Sequence, residues 1–199
     1  MIYITNILNF VATNLTSNLG TVSLTAGSVG STISVTNSAN GAYFTYGGSG
    51  VDLLTGGPEN DTISGGQGDD EITGGDGADS LTGGQGNDVY LFNTNDVGAS
   101  ESIIEQSGEG SDIISIVTTT DFSSMTANSF DEIEEIRFAG ANQTGTFTKT
   151  SAVVALTSYM ASADGLANAS YGSASPAYQN KVEVAEYFTI TKGLGGSSK

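Results

Sequence analysis

The sequence predicts a mainly β protein: a right-handed parallel β-roll with a β-rich N-terminal extension and a small C-terminal helical cap. Three observations predict this fold. Five nine-residue units follow one another without insertion over residues 47–91. The segments on either side alternate apolar with polar residues between turns rich in Gly, Ser and Asn, as short strands do. Apolar residues take a helical spacing only after residue 150.

Each unit begins with two glycines and carries an acidic residue at its sixth place and a large non-polar residue at its eighth. The units read GGSGVDLLT, GGPENDTIS, GGQGDDEIT, GGDGADSLT and GGQGNDVYL. An amphipathic helix needs apolar residues at i, i+3, i+4 and i+7, which this period does not supply. A six-residue turn followed by a three-residue strand fits, because the middle side chain of the strand then points inward. A flexible linker of Gly and Asp would not need an apolar residue at every eighth place.

The period also predicts how the aspartates stack. Two units make one full turn, so each unit lies on the next but one, about 4.8 Å away. Carboxylates stacked at this distance repel each other unless a cation lies between them. The glycines bring backbone carbonyls close together, and carbonyl and carboxylate oxygens are the hard donors that suit Ca²⁺. The expected stacked pairs are Asp52 with Asp70, Asp61 with Asp79, and Asp70 with Asp88.

The five units resemble the RTX (repeats-in-toxin) family of secreted bacterial proteins, in which a parallel β-roll holds Ca²⁺ between successive turns. The resemblance implies three ions bound by aspartates and backbone carbonyls. The first would take Gly48, Gly50, Asp52, Gly65, Gln67 and Asp70. The second would take Gly57, Glu59, Asp61, Gly74, Asp76 and Asp79. The third would take Gly66, Gly68, Asp70, Gly83, Gln85 and Asp88.

Two places depart from the regular repeat. Pro58-Glu59 replaces the usual x-Gly in the second unit, which predicts a distorted loop there. Residues 108–114, GEGSDII, repeat the phrase once more after the array. We interpret them as a degenerate sixth unit with Asp112 as a further ligand. A simple turn before a strand is the alternative.

The predicted roll covers residues 47–117, and three segments surround it. Residues 1–46 predict irregular rungs that extend the roll, with an antiparallel cap as the alternative, and residues 118–150 continue the β pattern. Residues 151–199 predict a cap or docking element of two short helices separated by a loop over 166–175. The N-terminal apolar pairs are Val22/Leu24, Ile33/Val35 and Phe44/Tyr46, and the helical stripes are Val153, Leu156, Met160, Ala163 and Tyr178, Val182, Ala185, with Tyr187 or Phe188.

The charge is strongly acidic and unevenly placed. The net charge is −17, from 22 acidic and 5 basic residues, and no Lys or Arg precedes Arg137. Through residue 112 there are 14 acidic residues and no basic one, so only metal ions or salt can neutralise that half of the chain. Without a basic patch we expect no nucleic acid and no anionic membrane surface as a partner. No apolar run approaches the roughly 20 residues that span a bilayer, so we expect no membrane insertion.

The residue types also limit the chemistry. The chain has no Cys and no His, which excludes disulfides, thiolate metal sites, His-ligated zinc and His-dependent nucleophilic catalysis within it. The acidic cluster Asp131, Glu132, Glu134 and Glu135 is interpreted as a solvated face rather than a catalytic carboxylate pair. We therefore expect no enzyme activity. The N-terminus lacks the features of a cleaved signal peptide, and the resemblance implies type I secretion to the extracellular space or the bacterial cell surface.

The function that these features favour is structural. Calcium would drive the folding and self-association of a surface-layer, filament, matrix or adhesin protein. The alternative is the C-terminal calcium-binding module of a secreted hydrolase whose catalytic domain lies outside this chain. A third reading is an adhesin domain that binds carbohydrate or ice, which an aligned, exposed row of Thr55, Thr73 and Thr82 would support.

Overall fold

The computed structural model describes residues 2–12, 22–36, 41–130, 132–139, 144–148, 168–171 and 187–191. These residues are almost entirely β, with 17 strands in three sheets and one short 3-10 helix, Ala127–Phe130. None of the helices in this part of the chain has the length and apolar character that a bilayer span needs.

Two parallel sheets face each other, and the chain passes from one to the other and back in about six turns. The predicted parallel β-roll is therefore confirmed as a parallel β-solenoid. The first sheet comprises β1 (Ile2–Ile7), β3 (Val22–Ala26), β5 (Tyr43–Ser49), β7 (Thr62–Gln67), β9 (Ser80–Gln85) and β11 (Ser102–Ile103). The second comprises β2 (Asn9–Val11), β4 (Thr32–Ser34), β6 (Leu53–Thr55), β8 (Glu71–Thr73), β10 (Val89–Phe92), β12 (Asp112–Ile116) and β14 (Ile133–Phe138).

The register within the repeats is one full turn per two units. Leu54 pairs with Ile72 in the second sheet, and Ile63 pairs with Leu81 in the first. These residues and Tyr90, all at the eighth place of their units, are at most 1% exposed. The predicted inward position and the predicted stacking of each unit on the next but one are both confirmed.

The strands before residue 47 extend the same stack. β1, β3 and β5 pair in parallel in the first sheet, as β2, β4 and β6 do in the second. The antiparallel alternative is therefore wrong for these strands. The apolar pairs Val22/Leu24 and Ile33/Val35 are buried as the alternation indicated.

The alternation fails in β5. Tyr43 and Thr45 are buried, whereas Phe44 is half-buried and Tyr46 is exposed. Thr45 pairs with the inward-facing Ile63 of β7. Because a shift of one residue moves every side chain to the other face, the register with β7 sets the orientation of this aromatic strand.

The C-terminal part of the described chain forms a third sheet, in which β13 pairs in parallel with β15 and the other pairs are antiparallel. Tyr187 and Phe188, predicted to be helical, and residues 168–171, predicted to be a loop, are strands. The aromatic and β-branched residues of YFTIT favour a strand once a partner strand is present. The remainder of the predicted helices lies outside the described residues. The strands are β13 (Thr120–Asp121), β15 (Thr144–Thr148), β16 (Asn168–Tyr171) and β17 (Tyr187–Thr191).

Aromatic side chains continue the core beyond the repeats. The rings of Phe92 and Phe122 pack edge to face at 5.1 Å between centroids, and those of Phe122 and Phe130 at 6.3 Å. Phe130 belongs to the 3-10 helix, which packs beside β11. The core is therefore capped by aromatic side chains at this end of the first sheet.

Candidate calcium-binding site

The loops between the strands stack along two edges of the roll, and glycines let them approach closely. Gly66 and Gly68 have φ of 111° and 120°, a region that L side chains rarely adopt. A Cβ at either position would also collide with the backbone of Gly48 or Gly50 one turn earlier. The carbonyl oxygens of Gly48 and Gly50, both predicted ligands, therefore face the loop of the next turn.

On the first edge, each aspartate is bonded to the aspartate one turn away. The backbone N–H of Asp52 donates to Asp70 Oδ1 at 2.7 Å, and that of Asp70 donates to Asp88 Oδ1 at 2.7 Å. The N–H of Asp88 donates to Asp112 Oδ1 at 2.9 Å. The degenerate sixth unit thus continues the column, and Asp112 occupies the place of a repeat aspartate.

A second column runs along the other edge. The N–H of Tyr43 donates to Asp61 Oδ1 at 2.7 Å, and that of Asp61 to Asp79 Oδ1 at 2.8 Å. The N–H of Asp79 donates to Glu101 Oε2 at 2.7 Å. Both columns therefore join successive turns through one carboxylate oxygen of each acidic residue.

Two residues of these columns, Glu101 and Glu134, were not predicted from the repeat pattern. Glu134 is half-buried, and its Oε2 accepts from the N–H of Asp112 at 2.6 Å, so this member of the acidic cluster also takes part in the column. The available signal was an acidic residue two places before a buried isoleucine: Glu101 before Ile103 and Glu134 before Ile136. Of the other members of that acidic cluster, Glu132 is exposed, Glu135 is half-buried, and Asp131 lies outside the described residues.

The second carboxylate oxygen of four repeat aspartates has no hydrogen-bond partner among the described residues. Asp52, Asp70, Asp79 and Asp88 are at most 1% exposed, and their Oδ2 atoms are buried. A buried carboxylate oxygen without a donor is costly, and the sequence places no basic residue before Arg137. A bound cation would supply a partner for these oxygens, and hard oxygens fit Ca²⁺.

Backbone carbonyls would have to complete each site. No group of three or more acidic side chains in the described part of the chain is arranged to hold a metal ion. Two stacked aspartates would therefore share an ion with carbonyl oxygens from both turns. Two predicted carbonyl ligands already accept hydrogen bonds across the turn, Gln67 from Gly50 N–H and Gln85 from Gly68 N–H, each at 2.7 Å.

Burial and like charge both raise the pKa values of the stacked aspartates. The pKa of Asp70 is raised to about 6, first by desolvation and then by the charges of Asp52 and Asp69. The pKa values of Asp79 and Asp88 are each raised to about 7 for the same kinds of reason. A carboxylate in this state binds a proton more readily than an exposed one, and a cation between the stacked pair would relieve the same repulsion.

The second unit has a different geometry, as Pro58-Glu59 predicted. Gly57 does not take the positive φ of the corresponding glycines, and its N–H donates to Asp61 Oδ2 at 2.7 Å. Asp61 therefore leaves no buried oxygen without a partner. Of the other predicted ligands in this site, the Glu59 carbonyl faces Gly77, and Asp76 is exposed.

Additional carboxylates follow the array on the first edge. Glu105 Oε1 accepts from Gly83 N–H at 2.7 Å and from the Tyr90 hydroxyl, and its Oε2 has no partner among the described residues. Burial, followed by the charges of Asp112 and Asp88, raises the pKa of Glu105 to about 8. Acidic groups thus converge on the turn around Asp112 after the regular repeat has ended.

Comparison with known proteins agrees with this geometry. Residues 46–81 and 55–90 match the family model of the RTX calcium-binding nonapeptide repeat, which comprises four copies. Comparisons with curated proteins and with solved structures gave no match. The matched residues contain the five repeat aspartates, whose carboxylates join successive turns. Residues 46–90 are therefore RTX calcium-binding nonapeptide repeats, and the cofactor of this chain is Ca²⁺.

Proposed function

We propose that this chain is a calcium-dependent secreted or cell-surface structural protein, in which Ca²⁺ first folds the roll and then permits self-association. The observation that supports calcium-dependent folding is the pair of buried carboxylate columns, which have no basic partner among the described residues. Ionised groups in such columns repel each other and lose hydration. Each Ca²⁺ ion would cancel two of these charges and supply the missing contacts, so metal binding would contribute directly to folding.

The exposed N-terminal end of the stack supports self-association. β1 and β2 are the end strands of the two sheets, so each has one edge without a strand partner among the described residues. Tyr3, Leu8 and Val11, in or next to these strands, are 71%, 63% and 56% exposed. Unpaired strand edges with apolar side chains favour the addition of further strands. Head-to-tail contact between copies would give a filament or a lattice.

The calcium-binding repeats are typical of secreted bacterial proteins, which supports an extracellular or cell-surface location. We also propose that the chain leaves the bacterial cell by type I secretion. A chain without Cys or His would serve there through binding and shape rather than through His-dependent or Cys-dependent catalysis.

The threonine arrangement does not favour a flat carbohydrate-binding or ice-binding face. Thr55 pairs with Thr73 in the second sheet, whereas Thr82 pairs with Ser64 in the first. The three residues therefore lie on different faces of the roll, and only two of them form a row.

The proposal is tested by comparing the chain in EDTA and in millimolar Ca²⁺, by circular dichroism and electron microscopy. We expect a loosened chain in EDTA, and a β-rich spectrum with ordered assemblies in Ca²⁺. Identical spectra in the two solutions would eliminate calcium-dependent folding. Calcium-dependent folding of a species that stays strictly monomeric at high concentration would instead favour the module of a secreted hydrolase.

A further inference from the structure

The first loop after the repeat array contains a buried glutamate that the nonapeptide pattern does not include. Glu101 follows Asp79 by 22 residues, where successive repeat aspartates on one edge are 18 apart. It is only 2% exposed. Its Oε2 accepts from Asp79 N–H, while its Oε1 is buried without a hydrogen-bond partner among the described residues.

Among the described residues, Asp79 and Glu101 are the two acidic residues on the second edge with such an oxygen. Asp79 Oδ2 is unpartnered, whereas the corresponding oxygen of Asp61 accepts from Gly57 N–H at 2.7 Å. The free acceptors on this edge therefore lie at the turn from Asp79 to Glu101, one turn later than the second ion predicted from the repeats.

Two further features of this turn suit a hard cation. The Gly77 carbonyl faces Gly98 in the loop over residues 93–101, where a Cβ would collide with it. Asp96 is 6% exposed and fastens this loop by accepting from Asn93 N–H at 2.7 Å. Asp96 adds a further negative charge that acts on both Asp79 and Glu101, and no Lys or Arg occurs before residue 137 to balance it.

We infer that a calcium ion binds between the loops over residues 74–79 and 93–101, held by Asp79 Oδ2, Glu101 Oε1 and the Gly77 carbonyl. This inference rests on calcium binding by the roll, as proposed above, and extends it beyond residue 90. Asp96 strengthens the site through its charge, since the number of carboxylates around an ion tunes its affinity. Glu101 thus takes the role of a repeat aspartate, and its longer side chain reaches back from the longer loop.

The test counts Ca²⁺ ions bound to the whole chain by native mass spectrometry and equilibrium dialysis. Glu101→Gln keeps an oxygen that can accept from Asp79 N–H and removes the charge, so we expect one ion fewer than in the wild type. Glu71→Gln is the matched control, because Glu71 is exposed on β8; its count should equal that of the wild type. An unchanged count and affinity in Glu101→Gln would overturn the inference.

Two further variants separate the possible failures. If Asp70→Asn loses calcium while Glu101→Gln does not, this inference fails and calcium binding by the repeats stands. A wild-type chain that binds no calcium would contradict both this inference and the proposed function. If Glu101→Gln does not fold in Ca²⁺, calcium binding is measured in Asp96→Asn instead. An affinity for one ion that is severalfold weaker than in the wild type supports the site, and wild-type affinity for every ion overturns it.

Discussion

At the scale of single residues, Asp70 has an aspartate neighbour within the matched repeats on both sides. Its Oδ1 accepts from Asp52 N–H, and its own N–H donates to Asp88 Oδ1. Asp52 instead accepts from Ser31 N–H on its outer side, at 2.6 Å. A change at Asp70 therefore affects the turns on both sides, whereas one at Asp52 affects a single pair of aspartates.

We expect Asp70→Asn to weaken calcium-dependent folding more than Asp52→Asn. The first variant would lose a ligand to two ions, with a rise of at least about 10-fold in the calcium midpoint of folding. The second would lose a ligand to one. Calcium titrations followed by circular dichroism measure both midpoints. If Asp52→Asn proved the more damaging change, the proposed pairing of ions with turns would be wrong.

The raised pKa values predict an unusual pH dependence for the calcium-free roll. The pKa of Asp79 is raised to about 7 and that of Glu101 to about 9, in both cases mainly by desolvation. The folded state therefore holds protons that the unfolded chain releases above about pH 4–5. Because the folded state then binds more protons than the unfolded state, stability falls as pH rises from about 4 to about 9.

In EDTA we expect the chain to be folded to a greater extent at pH 5.5 than at pH 8.5, where the ionised carboxylates loosen it. In Ca²⁺ protons compete with the metal, so the calcium affinity should instead be weaker at pH 5.5. Circular dichroism in EDTA and calcium titrations, each at the two pH values, test these two expectations. A calcium-free roll that is more stable at pH 8.5 would show that these carboxylates are not buried as described.

At the scale of elements, the close stacking of the loops depends on glycines whose neighbours leave no space. Gly84 has φ of 98°, and a Cβ there would collide with the backbone of Gly66. Gly108 also has a positive φ, 84°, but a Cβ at that position would meet no atom within 4 Å. The two positions separate the cost of backbone conformation from the cost of collision.

We expect Gly108→Ala to lower the free energy of unfolding by about 1–2 kcal/mol, the cost of a left-handed conformation for an L residue. Gly84→Ala should cost distinctly more, because the backbones of two turns must also move apart. Urea unfolding in saturating Ca²⁺ measures both losses. Equal losses would mean that the loops are less closely stacked than the structure shows.

The elements with a regular period could be predicted from the sequence, and those without one could not. The apolar eighth place set the inward face of the repeat strands, because few other residues in each unit could fill the core. In β5, Tyr43 and Phe44 are both aromatic, so the sequence alone does not show which of them points into the core. The pairing of Thr45 with the inward-facing Ile63 turns Tyr43 inward. Tyr187 and Phe188 form a strand through pairing with residues 147–148, which are distant in sequence.

The candidate site, like the fold, could be predicted where the sequence follows the nine-residue period. The period brought together the aspartates of the repeats and identified Asp112 from its matching phrase. The period did not predict Glu101 or Glu134, because each follows the preceding aspartate of its column by 22 residues rather than 18. A longer loop combined with a longer side chain preserves the position of the carboxylate while it breaks the sequence period.

At the scale of the whole molecule, the exposed N-terminal end predicts where copies would meet. Lys on an edge strand discourages pairing with another strand, so Tyr3→Lys combined with Val11→Lys should keep the chain monomeric in millimolar Ca²⁺. Val29→Lys combined with Ile104→Lys is the control of equal charge, because both side chains are exposed, by 61% and 51%, and lie outside β1 and β2. Light scattering at rising protein concentration measures association. Equal association of the wild type and the double variant would place the contact elsewhere.

The hydrogen bond from each aspartate to the next turn makes the roll a one-dimensional lattice. In such a lattice, stability is a sum of terms for the turns and for the interfaces between neighbouring turns. An ion shared by two turns would act on both, and a turn already ordered would make the next one easier to order. We therefore expect the steepness of the calcium response to depend on the number of turns in the stack. Adding or deleting 18 residues at a time would then adjust that sensitivity without changing the cross-section of the protein.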